Sequence, residues 1–442
     1  MNIRFFTFGC KLNQVESESI ASGFAQSGFT VDTGLGTGDL FIINTCTVTS
    51  RSEQKARRII RKLLRENPGA LVIVTGCYAQ LEKEELGKLG DRVVVLGMEE
   101  KAKIQELAGF LEHTSGVDFE AAVHQWAASL HSSQEPGTGR FDYQPKSFSF
   151  HSRAFLKVQD GCNNRCAYCR VPLARGNSVS LSASEAVERA KTLEQEGYRE
   201  LVITGVNISS YNSNGTDLAG LVRQMLKHTS GFRIRLSSLE PDTITDQLIE
   251  TCMDDRICPH FHIPIQSGSD SVLQAMGRKY SISGALAIVE KLKKKVPAPF
   301  LAADIIAGLP GETEEDFRCS QDLLTQGVFH HAHVFSFSPR PGTVLYQAKN
   351  RVPERIIKER AAILQQESEN RTRKFLDTLI GKTVNVLVEK VKTVGGNCVA
   401  EGYSGQYARI EAAAQKGVLH PGRIYQAEIQ KRNQTKLEGS IH

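Results

Sequence analysis

Apolar positions in the first hundred residues switch between short continuous runs and helical spacing. Ile3 to Phe8, Leu40 to Asn44 and Leu71 to Val74 read as strands, while Asn13 to Ser27 and Ser52 to Arg65 carry a helical repeat. Strands alternating with helices predict a parallel sheet flanked by helices. Between His113 and Ser147 the period is lost and Ser, Gly, Gln and Pro accumulate, as in Ser132 to Gly139, so a linker or surface excursion is expected. A second series follows, with strand-like runs at Ala154 to Val158, Leu201 to Thr204, Phe232 to Ser237, His260 to Ile265, Leu301 to Ile306 and His333 to Phe337. Six parallel strands joined by right-handed crossovers predict an open, partial β/α barrel with its site at the carboxyl ends of the strands. Pro353 to Leu379 is a charged helical connector that begins with proline near its first turn. Beyond Gly381 the pattern alternates, with Val384, Val386 and Val388 on one face and turns marked by Gly395-Gly396 and Pro421-Gly422, so a small antiparallel β-barrel is expected. The predicted organisation is α/β multidomain: an N-terminal domain over 1–112, a linker over 113–147, a barrel with its connector over 148–378 and a terminal barrel over 379–442.

A chain of 442 residues supports several separate cores, and 40% apolar with 23% charged content is ordinary for a globular protein. No apolar stretch approaches the about 20 residues that span a bilayer, so a membrane is not an expected partner. Met1 to Phe6 runs directly into a strand and lacks the apolar core and cleavage site of a signal peptide, which makes the cytoplasm the expected compartment. There, ten cysteines read as metal ligands or reduced thiols rather than disulfides. The net charge of +5 is unevenly spread, because nine Lys and Arg against five Glu follow Gly381. A basic terminal module points to a polyanion, although a solvated lysine-rich surface gives the same asymmetry.

Cys162, Cys166 and Cys169 stand at C-x3-C-x2-C spacing directly after the first strand of the second series. Three thiolates on a four-iron cluster leave one iron open for another ligand. A structural zinc site would need a fourth ligand, for which His151 is the near candidate. Each of the first three strand-like runs also ends in a cysteine, at Gly9-Cys10, Thr45-Cys46 and Gly76-Cys77. A parallel sheet places those ends on one edge, so Cys10, Cys46 and Cys77 can converge, although cysteines are also often buried with no such role. Cys252, Cys258, Cys319 and Cys398 have no matching partners and read as ordinary thiols.

These motifs resemble the radical S-adenosylmethionine methylthiotransferases over nearly the whole chain. The C-x3-C-x2-C motif is the superfamily signature, and Phe8 to Gln14, Asn44 to Cys46 and Val74 to Gln80 are similar to the family's N-terminal domain. The resemblance implies two [4Fe-4S] clusters, one held by Cys162, Cys166 and Cys169 and an auxiliary one held by Cys10, Cys46 and Cys77. It also implies that S-adenosylmethionine chelates the open iron and is cleaved to a 5′-deoxyadenosyl radical. Thr204-Gly205, Ser237-Ser238 and Gln266 occupy places similar to its binding segments, and Tyr168 is expected beside the cofactor adenine or as an ordinary core tyrosine. Glycine permits close backbone approach, while Ser and Gln supply hydrogen bonds. The terminal barrel resembles the RNA-binding TRAM domain.

Family members methylthiolate a tRNA adenosine beside the anticodon, bearing a threonylcarbamoyl or an isopentenyl group, or an aspartate of a small-subunit ribosomal protein. The Gly9 to Gln14, Thr75 to Gln80 and Asp160 to Asn164 stretches most closely resemble the threonylcarbamoyladenosine group. Two departures border the cluster loop: Arg170 stands where an aliphatic residue is usual, and Asn177 to Ser180 lack a customary arginine. The implied partners are the anticodon stem-loop of tRNA, a reductant such as a flavodoxin-type donor, and a sulfur donor. Arg57, Arg58 and Arg61 on one helix, with Lys431 and Arg432 in the terminal barrel, are candidate RNA contacts against a solvated-face alternative. A non-catalytic RNA-binding protein whose metals only stabilise folding is the rival from another class.

Overall fold

In the computed structural model, which describes residues 1–113, 118–130, 139–143, 148, 150–394, 397–414 and 419–441, the first sheet is fully parallel. Its strands are β1 (Asn2–Thr7), β2 (Thr30–Thr33), β3 (Leu40–Thr45), β4 (Leu71–Gly76) and β5 (Val93–Val95), in the order β2-β1-β3-β4-β5. β3 and β4 are continuous apolar runs buried on both faces, as parallel strands between helical layers must be. Helices α1 (Lys11–Gln26) and α2 (Ser50–Glu66) flank the sheet. The register pairs Thr7 with Asn44, Asn44 with Thr75 and Thr45 with Gly76, which brings the strand ends bearing the three cysteines level.

The segment expected as a linker contains helix α3 (Phe119–Ser129), capped by the Asp118 carboxylate. Its Val123, Trp126 and Ala127 join Ile3, Phe24 and Ile73 in the N-terminal core. The burial of one helical face therefore overrides the polar composition around it. Ser132 to Thr138 and the Gly395-Gly396 turn lie outside the described residues.

The six expected barrel strands form two parallel sheets of three. β6 (Ala154–Lys157), β7 (Glu200–Thr204) and β8 (Arg233–Leu236) make the first; β9 (His260–Gln266), β10 (Phe300–Ala307) and β11 (His331–Ser336) make the second. The sheets meet through one parallel bridge, Ile234 to Ile257, and a bond from Leu239 N–H to the His262 carbonyl at 2.8 Å. An irregularity between Ile263 and Gln266 bends β9 there, and Gln266 takes a positive φ of 70°. Short helix α4 (Val171–Arg175) follows the cysteine loop, and the 24-residue helix α5 (Glu354–Asp377) leads to the last unit.

That unit is a closed five-stranded barrel of β12 (Thr383–Val394), β13 (Asn397–Ser404), β14 (Arg409–Ala414), β15 (Ile424–Asn433) and β16 (Lys436–Ile441). It is not wholly antiparallel, since β14 and β16 run parallel. An odd number of strands cannot alternate direction all the way round a closed circuit, so one such pair is unavoidable.

The terminal barrel docks against the starts of the second-series strands through Glu200. Its carboxylate meets Arg233 Nε and Arg235 Nε, each at 2.7 Å, and Arg153 at 3.8 Å. The free ends of Arg233 and Arg235 donate to backbone carbonyls of Asn385, Tyr403, Ser404 and Gly405. Burial alone would raise the Glu200 pKa, but Arg235, Arg233 and Arg153 hold it down at about 2.

Replacing Glu200 with Gln leaves Arg233 and Arg235 without their carboxylate and is expected to cost about 3–5 kcal/mol at neutral pH. Because the folded value of about 2 lies below the ordinary 4.5, the stabilisation is complete above that ordinary value and lost as pH falls through about 2. Urea midpoints of the wild-type and Glu200→Gln proteins should therefore converge on acidification. A gap that stays constant down to pH 2 would refute this.

Candidate functional site

Cys10, Cys46 and Cys77 follow β1, β3 and β4 and open together onto a cavity of about 590 Å³. Two glycines let the strand ends approach this closely. A Cβ on Gly9, whose φ is +96°, would lie 2.6 Å from Cys46 Cβ, and one on Gly76 would lie 2.4 Å from the Thr45 carbonyl oxygen. Burial, with the Cys10 and Cys77 thiols adding to it, pushes Cys46 up to about 12. Such thiols stay protonated until a metal supplies compensating charge.

That charge is partly built in. Glu16 of α1 is fully buried and receives Lys157 at 2.9 Å, Arg175 at 2.9 and 3.1 Å, and Lys101. Asp160 receives Arg175 at 3.0 Å and Lys157 at 2.6 Å. Three cations thus face two carboxylates, and the surplus positive charge reaches Cys77, whose Sγ accepts from Arg175 Nε at 3.3 Å. Arg175 also donates to Asn13 Oδ1 at 2.7 Å. Against the penalty of its burial, Arg175, Lys101 and Lys157 hold the Glu16 carboxyl well below its usual range.

The second triplet lies in the loop after β6. Backbone N–H groups of Asn164 and Val171 donate to Cys162 Sγ and Cys169 Sγ, each at 3.4 Å. Burial, with Cys166 and Cys162 adding to it, pushes Cys169 up to about 12. Among the described residues no group of three or more His, Cys, Asp or Glu is arranged around a single ion. The donor chemistry fits a four-iron cluster, in which each thiolate binds a different iron. His151, the zinc candidate, instead bonds Glu18 at 2.5 Å. The side-chain oxygen of Asn207 is buried with no partner among the described residues, while its side chain hydrogen-bonds to Cys162. An unsatisfied acceptor beside the cysteine loop fits an amine-bearing cofactor.

Of the residues expected to meet S-adenosylmethionine, Thr204, Gly205, Ser237 and Ser238 line the same cavity as Cys10, Cys46 and Cys77. Tyr168 packs beside Val272, Met276 and Leu309, and its hydroxyl accepts from Arg278 at 2.9 Å. Gln266 is buried at the end of β9 and is not part of the cavity wall. Arg58 and Arg61 are exposed on α2, whereas Arg57 bonds the Tyr78 hydroxyl and Glu85. Lys431 pairs with Glu438 at 2.9 Å, and Arg432 with Asp377 at 2.6 Å.

Sequence reasoning passed over Lys11, Glu16, Arg278 and Tyr407. Arg278 links Glu240, at 2.7 Å, to Tyr168. Lys11 and Tyr407 line the cavity, and burial, aided by Arg235 and Arg153, lowers Lys11 to about 8. For Lys11 and Glu16 a signal existed, because both share the helix that begins after Cys10. Arg170, an apparent departure, is buried between Glu53 at 3.3 Å and Glu82 at 2.7 Å, so its charge fastens the cysteine loop to the N-terminal domain.

Known proteins resemble the chain over most of its length. Residues 156–324 match the Radical SAM superfamily, and residues 2–97 match Uncharacterized protein family UPF0004. The chain is 39% identical over 439 residues to "Threonylcarbamoyladenosine tRNA methylthiotransferase MtaB" of Treponema pallidum, covering 88% of this chain and 91% of that one. The chain belongs to the radical SAM methylthiotransferase family. It is also 31% identical over 447 residues to "tRNA-2-methylthio-N(6)-dimethylallyladenosine synthase" of Acetivibrio thermocellus, covering 98% and 90%. The solved radical S-adenosylmethionine methyltransferase TsrM from Kitasatospora setae shares the fold, with a TM-score of 0.52 at 14% identity over 78% of this chain and 74% of that one. Membership in the superfamily carries a [4Fe-4S] cluster and S-adenosylmethionine. No described helix is long and apolar enough to cross a membrane.

Glu16→Ala takes from Lys101 the carboxylate it pairs with and leaves Lys157 and Arg175 to Asp160, and should lower stability by about 3–5 kcal/mol. Denaturant unfolding checks this, and a loss below about 1 kcal/mol, the scale of an exposed pair, would contradict it.

Proposed function

We propose that the protein converts N6-threonylcarbamoyladenosine beside the tRNA anticodon to its 2-methylthio derivative. The observation that carries this reading is one cavity bordered both by Cys10, Cys46 and Cys77 and by the strand-end residues Thr204, Gly205, Ser237 and Ser238. Sulfur insertion needs a sulfur-presenting group and a radical source to share a single substrate. In this reading Cys162, Cys166 and Cys169 hold the cluster that engages S-adenosylmethionine, and Cys10, Cys46 and Cys77 hold a second [4Fe-4S] cluster. Together with S-adenosylmethionine these groups supply the radical and the sulfur that an unreactive aromatic C–H requires, chemistry no side-chain acid or base provides.

The protein's own residues position and shield. Arg175 steadies Cys77, the Asn207 side chain bonds Cys162, and Arg278 ties Tyr168 to Glu240 beside the cysteine loop. The relative from Treponema pallidum, named for threonylcarbamoyladenosine, supports the substrate assignment. The relative from Acetivibrio thermocellus, named for dimethylallyladenosine, keeps that base as the second reading. An external reductant and a sulfur donor complete the stoichiometry.

Nucleoside mass spectrometry of tRNA from a deletion strain tests the reading: 2-methylthio-threonylcarbamoyladenosine should vanish while its unmethylthiolated precursor accumulates. Normal levels of the product would refute the assignment. For the RNA contact, Arg58→Glu combined with Arg61→Glu should flatten the dependence of log affinity on log salt by about one to two, because single-stranded RNA gives about 0.7 per neutralised phosphate. An unchanged slope would remove α2 from the interface.

A further inference from the structure

The cavity reaches past the cysteines to the docked terminal barrel, and this inner end is built for an anion. Lys11 and Tyr407 line it, with the Lys11 ammonium 5.9 Å from the Tyr407 ring centroid. No ion-pair partner of Lys11 exists among the described residues. The charges that act on it, Arg235, Arg153 and Glu200, already belong to one cluster: Arg153, Arg233 and Arg235 share Glu200, and Arg153 also takes Glu389 at 3.0 Å. These five groups hold one positive charge in excess, and Lys11 adds a second. A half-buried ammonium beside such a cluster gains from an incoming carboxylate far more than it would in water.

A second atom points the same way. His260 is buried at the start of β9 and lines the cavity, and its Nδ1 has no hydrogen-bond partner among the described residues. The ring is held in place by Phe300, stacked at 5.7 Å, and by Tyr407 at 5.1 Å. A buried polar atom without a partner calls for one, and a ligand in the cavity that His260 lines can supply it.

We propose that Lys11, with His260 Nδ1, is the receptor for the carboxylate of the threonylcarbamoyl side chain, and so the residue that selects this base. The proposal rests on the substrate reading above. Of the two candidate bases, only the threonylcarbamoyl one carries a carboxylate and a hydroxyl; the isopentenyl group is wholly apolar and would leave both Lys11 and His260 unsatisfied.

The test uses the purified, cluster-loaded enzyme and an anticodon stem-loop RNA bearing threonylcarbamoyladenosine, compared with the same RNA in which the threonyl carboxylate is a neutral primary amide. The wild type should bind the acid at least ten-fold tighter than the amide. Lys11→Met should lose that preference by weakening the acid alone, Lys11→Arg should keep it, and His260→Phe should reduce it. Iron content and the absorption spectrum of each variant report on whether Cys10, beside Lys11, still holds its site. Equal wild-type affinity for acid and amide would overturn the proposal, whatever the variants do. So would a Lys11→Met enzyme that retains its iron and its preference for the acid. Methylthiolation of each RNA by the wild type is read separately: failure on the threonylcarbamoyl RNA sinks the substrate reading, whereas turnover of acid and amide with equal affinity sinks only the receptor.

Discussion

The structure turns on a carboxylate that water never reaches. Glu16 sits where the first helix of the N-terminal domain meets the edge of the second-series strands, and through Lys157, Arg175 and Asp160 it joins two units that are far apart in sequence. A buried carboxylate is tolerable only with such compensation, so the three cations must arrive together. Because Arg175 also contacts Cys77, the interaction that docks the domains is the same one that sets the electrostatics of a cysteine triplet. Relative motion of the two units would disturb the site directly.

A second fastening repeats the logic at the other side of the loop. Arg170 and Arg340 converge on Glu53, with Thr47 Oγ1 bonded to the same carboxylate at 2.6 Å. The residue that looked foreign to the family's pattern is thus part of the joint between the cysteine loop and α2. The terminal barrel has its own joint at Glu200, so each of these joints is organised around a buried acid.

The alternation of apolar runs made the parallel sheet, the strand series and the terminal barrel legible, because period and cysteine placement are local properties. Helix α3 was hidden because its apolar residues, mostly alanines beside Val123 and Trp126, stand next to a Ser-, Gly- and Pro-rich stretch, and the N-terminal core explains them. Thr204, Gly205, Ser237 and Ser238 could be read from their places after strands. Lys11, His260 and Tyr407 could not be read as a group, since three units must fold before they meet. The split between β8 and β9 and the parallel closure of the last barrel likewise depend on how strands fit together, which periodicity does not encode.

That a single cavity takes walls from Cys10 and from Tyr407 has a consequence during synthesis. The N-terminal sheet is complete once β5 has emerged, but Tyr407 follows Cys77 by 330 residues. At the usual elongation rate of about 5–20 residues per second, the three thiols stand without their far wall for roughly 15–65 seconds. In a growing chain, that interval is when these sulfurs are most open to solvent and to oxygen.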